Sequence, residues 1–198
     1  MNKLSTDEKI LESAMNLFSE KGYREVTTKD IAKEAGVSEM SIFRHFHNKK
    51  NLFERAVDKY IFSPKLRTLF DKNLKWDLKE DLLNISRVYH ETLTKNERII
   101  LVCLKNTDLT VNLDSPLKKF PNELKKLMVA YFIEMQERGG LHGEPELLAI
   151  NFIAGNFGIF TSFTIFEKFN TNLDVNTCIN DFVKIFIEGV IPDFKNNK

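Results

Sequence analysis

Hydrophobic positions recur with the three-and-four spacing of amphipathic helices almost from the first residue. Ile10, Leu11, Ala14, Leu17 and Phe18 share one face, Ser5 and Glu8 precede them at capping-box spacing, and Gly22 follows, which predicts a first helix. Thr27 with Asp30 opens a second, short helix carrying Ile31, Ala32 and Ala35 and stopped by Gly36. Ser38 heads a third, with Ile42 and Phe46 four apart. Asn48 starts a fourth, with Leu52, Phe53, Ala56, Val57 and Tyr60 on one side and Ser63-Pro64 at its end. Helical pattern continues over Leu66 to Leu74, then after Asp77 and Glu80 through Leu82, Ile85, Tyr89 and Leu93, then over Ile99 to Leu104. Thr107 to Pro121, with two prolines, reads as a loop before a helix over Glu123 to Arg138, which Gly139-Gly140 closes. Pro145 suits the first turn of a long helix. Val175, Cys178, Ile179, Phe182, Val183, Phe186 and Ile187 then form one continuous apolar stripe. No segment reads as evenly spaced short strands, so the expected fold class is all-α, with nine or ten helices.

One stretch changes that picture. Leu147 to Phe166 is 20 residues without a charge, long enough to cross a bilayer. It contains Asn151, Asn156, Thr161, Ser162 and Thr164, however, and is flanked by Glu146 and Glu167 rather than by basic residues, so a buried helix is the better reading and no membrane is expected. A helix apolar all round needs cover on nearly every side, and a second copy of the chain would supply it. The expected dimerisation residues are Ala149, Phe152, Ile153, Phe157, Cys178, Phe182 and Phe186 of the last two helices, with Ala149, Ala154, Gly155 and Gly158 allowing close approach. Core packing within one chain is the alternative.

Composition adds limits. At 198 residues the chain suits one domain or a small module fused to a larger one. Cys103 and Cys178 lie far apart without CxxC spacing, as expected of free thiols in the reducing cytoplasm, and no secretory signal pattern opens the sequence. The four histidines share no metal spacing, and no nucleophile motif, phosphate loop or carboxylate pair is evident, so neither an enzyme nor a cofactor or metal site is expected. A net charge of +1 gives no global footprint for nucleic acid. Any such surface must be local.

The block from Thr27 to Lys50 meets that condition. Two short helices separated by Gly36-Val37-Ser38 suit a helix-turn-helix, whose second helix must be anchored on one side and open on the other to enter a major groove. At about 100° per residue, placing Ile42 and Phe46 inward turns Met40 and Arg44 outward, with Ser41 and Phe43 beside them. Arg44 could donate twice to guanine, Ser41 could donate or accept, and Met40 and Phe43 could pack on thymine methyls. Helix starts favour phosphate, which adds Thr27, Thr28 and Lys29 at the second helix and His47, Asn48, Lys49 and Lys50 at the fourth, and Ser38 and His45 complete the DNA-binding candidates. From Arg44 to Arg55 four basic residues face one acid, Glu54.

These same residues, ThrThrLysAspIleAlaLysGluAlaGlyValSer followed by SerIlePheArgHisPheHisAsnLysLysAsnLeuPhe, strongly resemble the N-terminal domain of TetR-type regulators, in register from Ile10 to Leu52. The resemblance implies a homodimer on a roughly palindromic operator in double-stranded DNA, with an inducer pocket in a larger C-terminal domain. Two positions depart from the family: Phe43 stands where tyrosine is common, removing a hydroxyl contact to phosphate, and Met40 where a small residue is frequent. The division expected is a DNA-binding domain over 1–50, a connecting helix over about 48–63, and an effector-binding and dimerisation domain over 51–198.

Seventeen phenylalanines, most after residue 60, suit a large apolar core and a cavity for an apolar small-molecule effector. Phe70, Trp76, Tyr89, Phe132, Asn156 and Phe160 are the candidate lining residues, Asn156 because it is polar within an uncharged helix. The expected function is that of a DNA-binding transcriptional regulator, a repressor released by such an effector. A helical carrier of apolar ligands without specific DNA binding is the rival.

Overall fold

The computed structural model describes residues 5–61, 64–105, 119–139, 141–164 and 172–190. Among them lie ten helices and no strand: α1 (Thr6–Lys21), α2 (Thr28–Ala35), α3 (Glu39–Phe46), α4 (Lys49–Ile61), α5 (Pro64–Lys72), α6 (Leu78–Lys95), α7 (Glu97–Lys105), α8 (Lys119–Glu137), α9 (Pro145–Thr164) and α10 (Val175–Val190). Ser63, Gly140, Phe166 and most of the loop expected over 107–121 lie outside the described residues.

Local chemistry sets most boundaries. Ser5 and Glu8 form a capping box on α1, Thr27 and Asp30 form another on α2, and the Ser38 hydroxyl accepts from the Ser41 N–H at the start of α3. Gly36 ends α2 in the left-handed conformation, φ 67°, which glycine adopts without a side-chain clash. The Asn48 and Asp77 side chains accept from Asn51 N and Glu80 N, starting α4 and α6. One boundary differs from the pattern reading. The helix expected from Glu123 begins at Lys119 and takes Pro121 into its first turn, where a missing N–H leaves no helical bond unmade.

The chain forms two compact units. The first comprises α1 to α4 and α7, so it extends past residue 50. Its core is built by Ile10, Ala14 and Phe18 of α1, Ile31 of α2, Ile42 and Phe46 of α3, Leu52, Phe53 and Ala56 of α4, and Ile99 and Val102 of α7. The second comprises α5, α6, α9 and α10 with α8 from Asn122 onward. Within it α6 packs on α5, α9 and α10, and α10 packs on α9.

Asp81, fully buried on α6, organises one end of the second unit. Its carboxylate accepts from the Lys75 N–H at 2.8 Å, the Trp76 N–H at 2.9 Å and the Tyr131 hydroxyl at 3.3 Å. Trp76, at φ 61°, stacks on Tyr131 and lies under the Arg138 guanidinium, 4.3 Å from the ring centroid.

Candidate nucleic-acid interface

Helix α3 is anchored from within. Ile42 and Phe46, 0% and 1% exposed, sit in the core of the first unit, while Met40 is 76% and Phe43 44% exposed and Arg44 is open to solvent. Two large apolar side chains held out in water beside an arginine are unfavourable in isolation and suit a surface that meets base edges and thymine methyls. Their isolation follows from the wheel: α3 has too few residues to bury more than one face.

The polar candidates divide into open groups and groups already engaged. Lys29 is exposed and Lys50 half-buried on the same unit. The Thr27 hydroxyl and N–H both donate to Asp30 Oδ2, at 2.6 and 3.0 Å, and the Ser38 hydroxyl caps α3, so neither hydroxyl is free. The Thr28 hydroxyl donates to Glu39 Oε1 at 2.6 Å, tying the start of α2 to the start of α3. Ser41 Oγ lies 2.9 Å from Ser38 Oγ. The Arg44 guanidinium has the His45 ring at 3.5 Å.

Two basic candidates are placed differently from expectation. His45 turns away from the outer face and meets Asp7 of α1, Nδ1 to Oδ1 at 2.5 Å, because its position on the wheel adjoins the buried Ile42 and Phe46. Lys49 points its ammonium into the first unit, donating to Tyr23 O and Val26 O at 2.9 Å each, with the Tyr23 ring 4.4 Å from Nζ. Desolvation there lowers the lysine pKa. Lys49 therefore braces the turn between α1 and α2. Asp7, Glu39 and the Lys49 contacts went unread in the sequence because each joins residues many positions apart, where no periodicity operates.

In the second unit the candidate effector residues lie in different surroundings. Phe132, Asn156 and Phe160 are buried at 0%, 0% and 3%, and Tyr89 is 6% exposed, whereas Trp76 is 39% exposed and belongs to the Asp81 and Tyr131 cluster. Phe70 also packs on Tyr131, 6.5 Å between centroids. Phe132 packs against Phe152 and Phe186.

The expected dimer residues split as well. Ala149 and Phe152, 0% and 2% exposed in the single chain, pack into the core of their own unit. Gly155 does give close approach, but to Phe182 of its own chain, whose ring would collide with any added Cβ. Ile153, Phe157, Cys178, Phe182 and Phe186 are half-buried. Leu147, Ile150 and Ile185, 58%, 44% and 61% exposed, are the apolar positions that the sequence list left out. Helix α9 is long and apolar enough to cross a membrane by composition, with 28% of its best window buried. Leu148, Ala149, Phe152, Asn156 and Phe160 form its inner side.

Among the described residues no group of three His, Cys, Asp or Glu side chains is placed to hold a metal ion. Burial pushes the Cys103 thiol up to about 12, leaving it unreactive as a thiolate at neutral pH.

Comparison with known proteins bears on this geometry. Residues 10–56 match the family model for bacterial regulatory proteins of the tetR family. Over 189 residues, 95% of this chain and 98% of the other, the sequence is 29% identical to the uncharacterized HTH-type transcriptional regulator YvkB of Bacillus subtilis (strain 168). Over 50 residues, 25% of this chain and 27% of the other, it is 44% identical to the HTH-type negative transcriptional regulator IcaR of the biofilm operon icaADBC in Staphylococcus aureus. The fold is similar to that of the fatty acid degradation regulator FadR from Bacillus halodurans (TM-score 0.73, 19% identity, 100% of both chains). It is also similar to that of NalD, the secondary repressor of the MexAB-OprM multidrug efflux pump in Pseudomonas aeruginosa (TM-score 0.74, 22% identity, 96% and 97% of the two chains). The proteins it resembles are named as regulators, and its N-terminal unit presents one short helix to solvent. Residues 10–56, which carry the helix-turn-helix, are therefore similar to the corresponding segment of the tetR family of bacterial regulatory proteins.

Proposed function

We propose that this protein is a cytoplasmic, homodimeric transcriptional regulator that binds a palindromic operator through α3 and is released by an apolar small molecule held in its second unit. The observation that carries the DNA-binding half is the division of α3 into a fully buried face, Ile42 and Phe46, and an open one bearing Met40, Phe43 and Arg44. Arg44 reads guanine, Met40, Ser41 and Phe43 complete the base-reading surface, and Lys29, Lys50 and the backbone at the starts of α2, α3 and α4 hold phosphate. IcaR is named a negative regulator and NalD a repressor, which supports repression.

Dimerisation rests on α9 and α10. Leu147, Ile150 and Ile185 remain open to water in the single chain, with Ile153 and Phe157 half-covered beside them. A second copy packed across this apolar surface makes a four-helix interface and sets the spacing of the two recognition helices against major grooves about 34 Å apart. Effector binding then favours a spacing that no longer matches. The residue-level division of labour is DNA binding within 1–50, connection through about 48–63, and effector binding and dimerisation within 51–198.

Footprinting on the DNA upstream of the protein's own gene tests the reading. A protected, roughly palindromic site supports it. Arg44→Ala should weaken that site by about tenfold or more while leaving random duplex binding nearly unchanged, as expected when one bidentate base contact worth about 1–3 kcal/mol is removed. Equal loss on both DNAs removes Arg44 from base reading, and indifference to every duplex at low salt leaves the carrier of apolar ligands as the better account.

A further inference from the structure

Helix α3 opens on an acid. Glu39 is its first residue, exposed, next to Met40 and one turn before Phe43 on the same edge. On a face proposed to meet DNA a carboxylate is repelled by phosphate, so its place there calls for a reason. The side chain is also held. Glu39 Oε1 accepts from the Thr28 hydroxyl at 2.6 Å, the length of a strong charge-assisted bond. Thr28 is the first residue of α2, so this bond joins the two helix starts, and the positive end of the α3 dipole favours the negative charge at its N-terminus.

The polar side chains of α3 divide into engaged and open groups. Ser41 Oγ lies 2.9 Å from Ser38 Oγ and the His45 ring is held by Asp7, which leaves Glu39 and Arg44 as the long polar side chains exposed on this helix. Arg44 brings only donors and an ionised Glu39 only acceptors. In the major groove guanine offers two acceptors and cytosine one amino donor, so the two side chains call for opposite base edges.

We propose that Glu39 is a specificity-determining residue that accepts from the N4 amino group of a cytosine in each half-site, with Thr28 as the positioning residue that holds its carboxylate. The proposal rests on the DNA-binding reading above and adds the base that the start of α3 selects. Much of the discrimination is rejection. Thymine O4 or guanine O6 brought to the same place sets acceptor against acceptor, and adenine places its N7 acceptor beside its amino group, whereas cytosine has no acceptor on that edge. General affinity suffers in return, since the same charge repels phosphate at every sequence.

Selection of binding sites from a library of random-core duplexes, with the full-length protein and its variants, tests the assignment. The wild-type protein should recover half-sites with cytosine at one fixed position, bound about tenfold or more tightly than the same duplex with thymine there. Glu39→Gln keeps the side-chain length and an acceptor for Thr28 but adds a donor, so its selected sites should shift to adenine at that position. Glu39→Ala should accept all four bases within about threefold and bind random duplex more tightly than the wild type. Thr28→Val should lower the cytosine preference to about threefold, and Thr28→Ser should restore it, with the circular dichroism spectrum of each variant unchanged. One base profile shared by the wild type and both Glu39 variants, or a wild-type preference for thymine or guanine at the position that responds to them, overturns the proposal. Undiminished cytosine preference in Thr28→Val overturns the positioning role. The underlying reading fails separately: a wild-type protein that recovers no sequence removes both, whereas a recovered palindrome sensitive to Arg44→Ala and indifferent to Glu39 removes this inference alone.

Discussion

Single side chains decide which charges are available at the proposed DNA-facing surface. Lys49 and Lys50 are adjacent in sequence, yet Lys49 spends its donors on Tyr23 O and Val26 O. Lys49→Met should therefore lower stability by about 1–3 kcal/mol in chemical denaturation, since two part-buried carbonyls lose a charged donor. Lys50→Ala should leave stability nearly unchanged and flatten the salt dependence of DNA binding. Asp81 is the sharper case in the second unit: Asp81→Ala strands the Lys75 and Trp76 N–H groups and the Tyr131 hydroxyl together. A loss of about 3 kcal/mol or more, read from the urea midpoint, is the expected outcome.

At the scale of elements, α3 and α9 show opposite uses of a helix. The first is short, capped by Ser38, and buries one narrow face so that the other stays free. The second is apolar on all sides and meets α10 where Gly155 leaves room for Phe182. Gly155→Ala puts a methyl group into that ring, so the helix pair must shift. Thermal melting should show a loss of about 1–3 kcal/mol, although alanine is the better helix former.

For the whole molecule, acidity and self-association are the informative variables. The folded state holds His90 at about 4 against an ordinary 6.5, so the unfolded chain binds the extra proton first as pH falls. Stability contributed by neutral His90 is complete above about 6.5, declines between 6.5 and 4, and levels off below, for a total of up to about 3 kcal/mol. His90→Phe should remove that slope from a pH series of urea titrations; an unchanged slope assigns it to other groups. Ile150→Glu, at a position 44% exposed in the single chain, should leave the helical circular dichroism intact, convert the protein to monomer in light scattering, and weaken the operator complex at least tenfold.

Sequence alone determined the helices, their caps and which short helix buries one face and leaves the other open, because these depend on contacts within three or four residues: Ser5 with Glu8, Thr27 with Asp30, Ile42 with Phe46. It also singled out Asn156 by its polarity. Tertiary structure decided everything that joins distant positions. It turned Lys49 and His45 inward, assigned Ala149 and Phe152 to their own unit's core, carried α8 back through Pro121, and set Asn156 against His90. Periodicity reports which residues share a face; it holds no information about what that face meets, and burial, pairing and orphaned polar atoms are properties of the meeting.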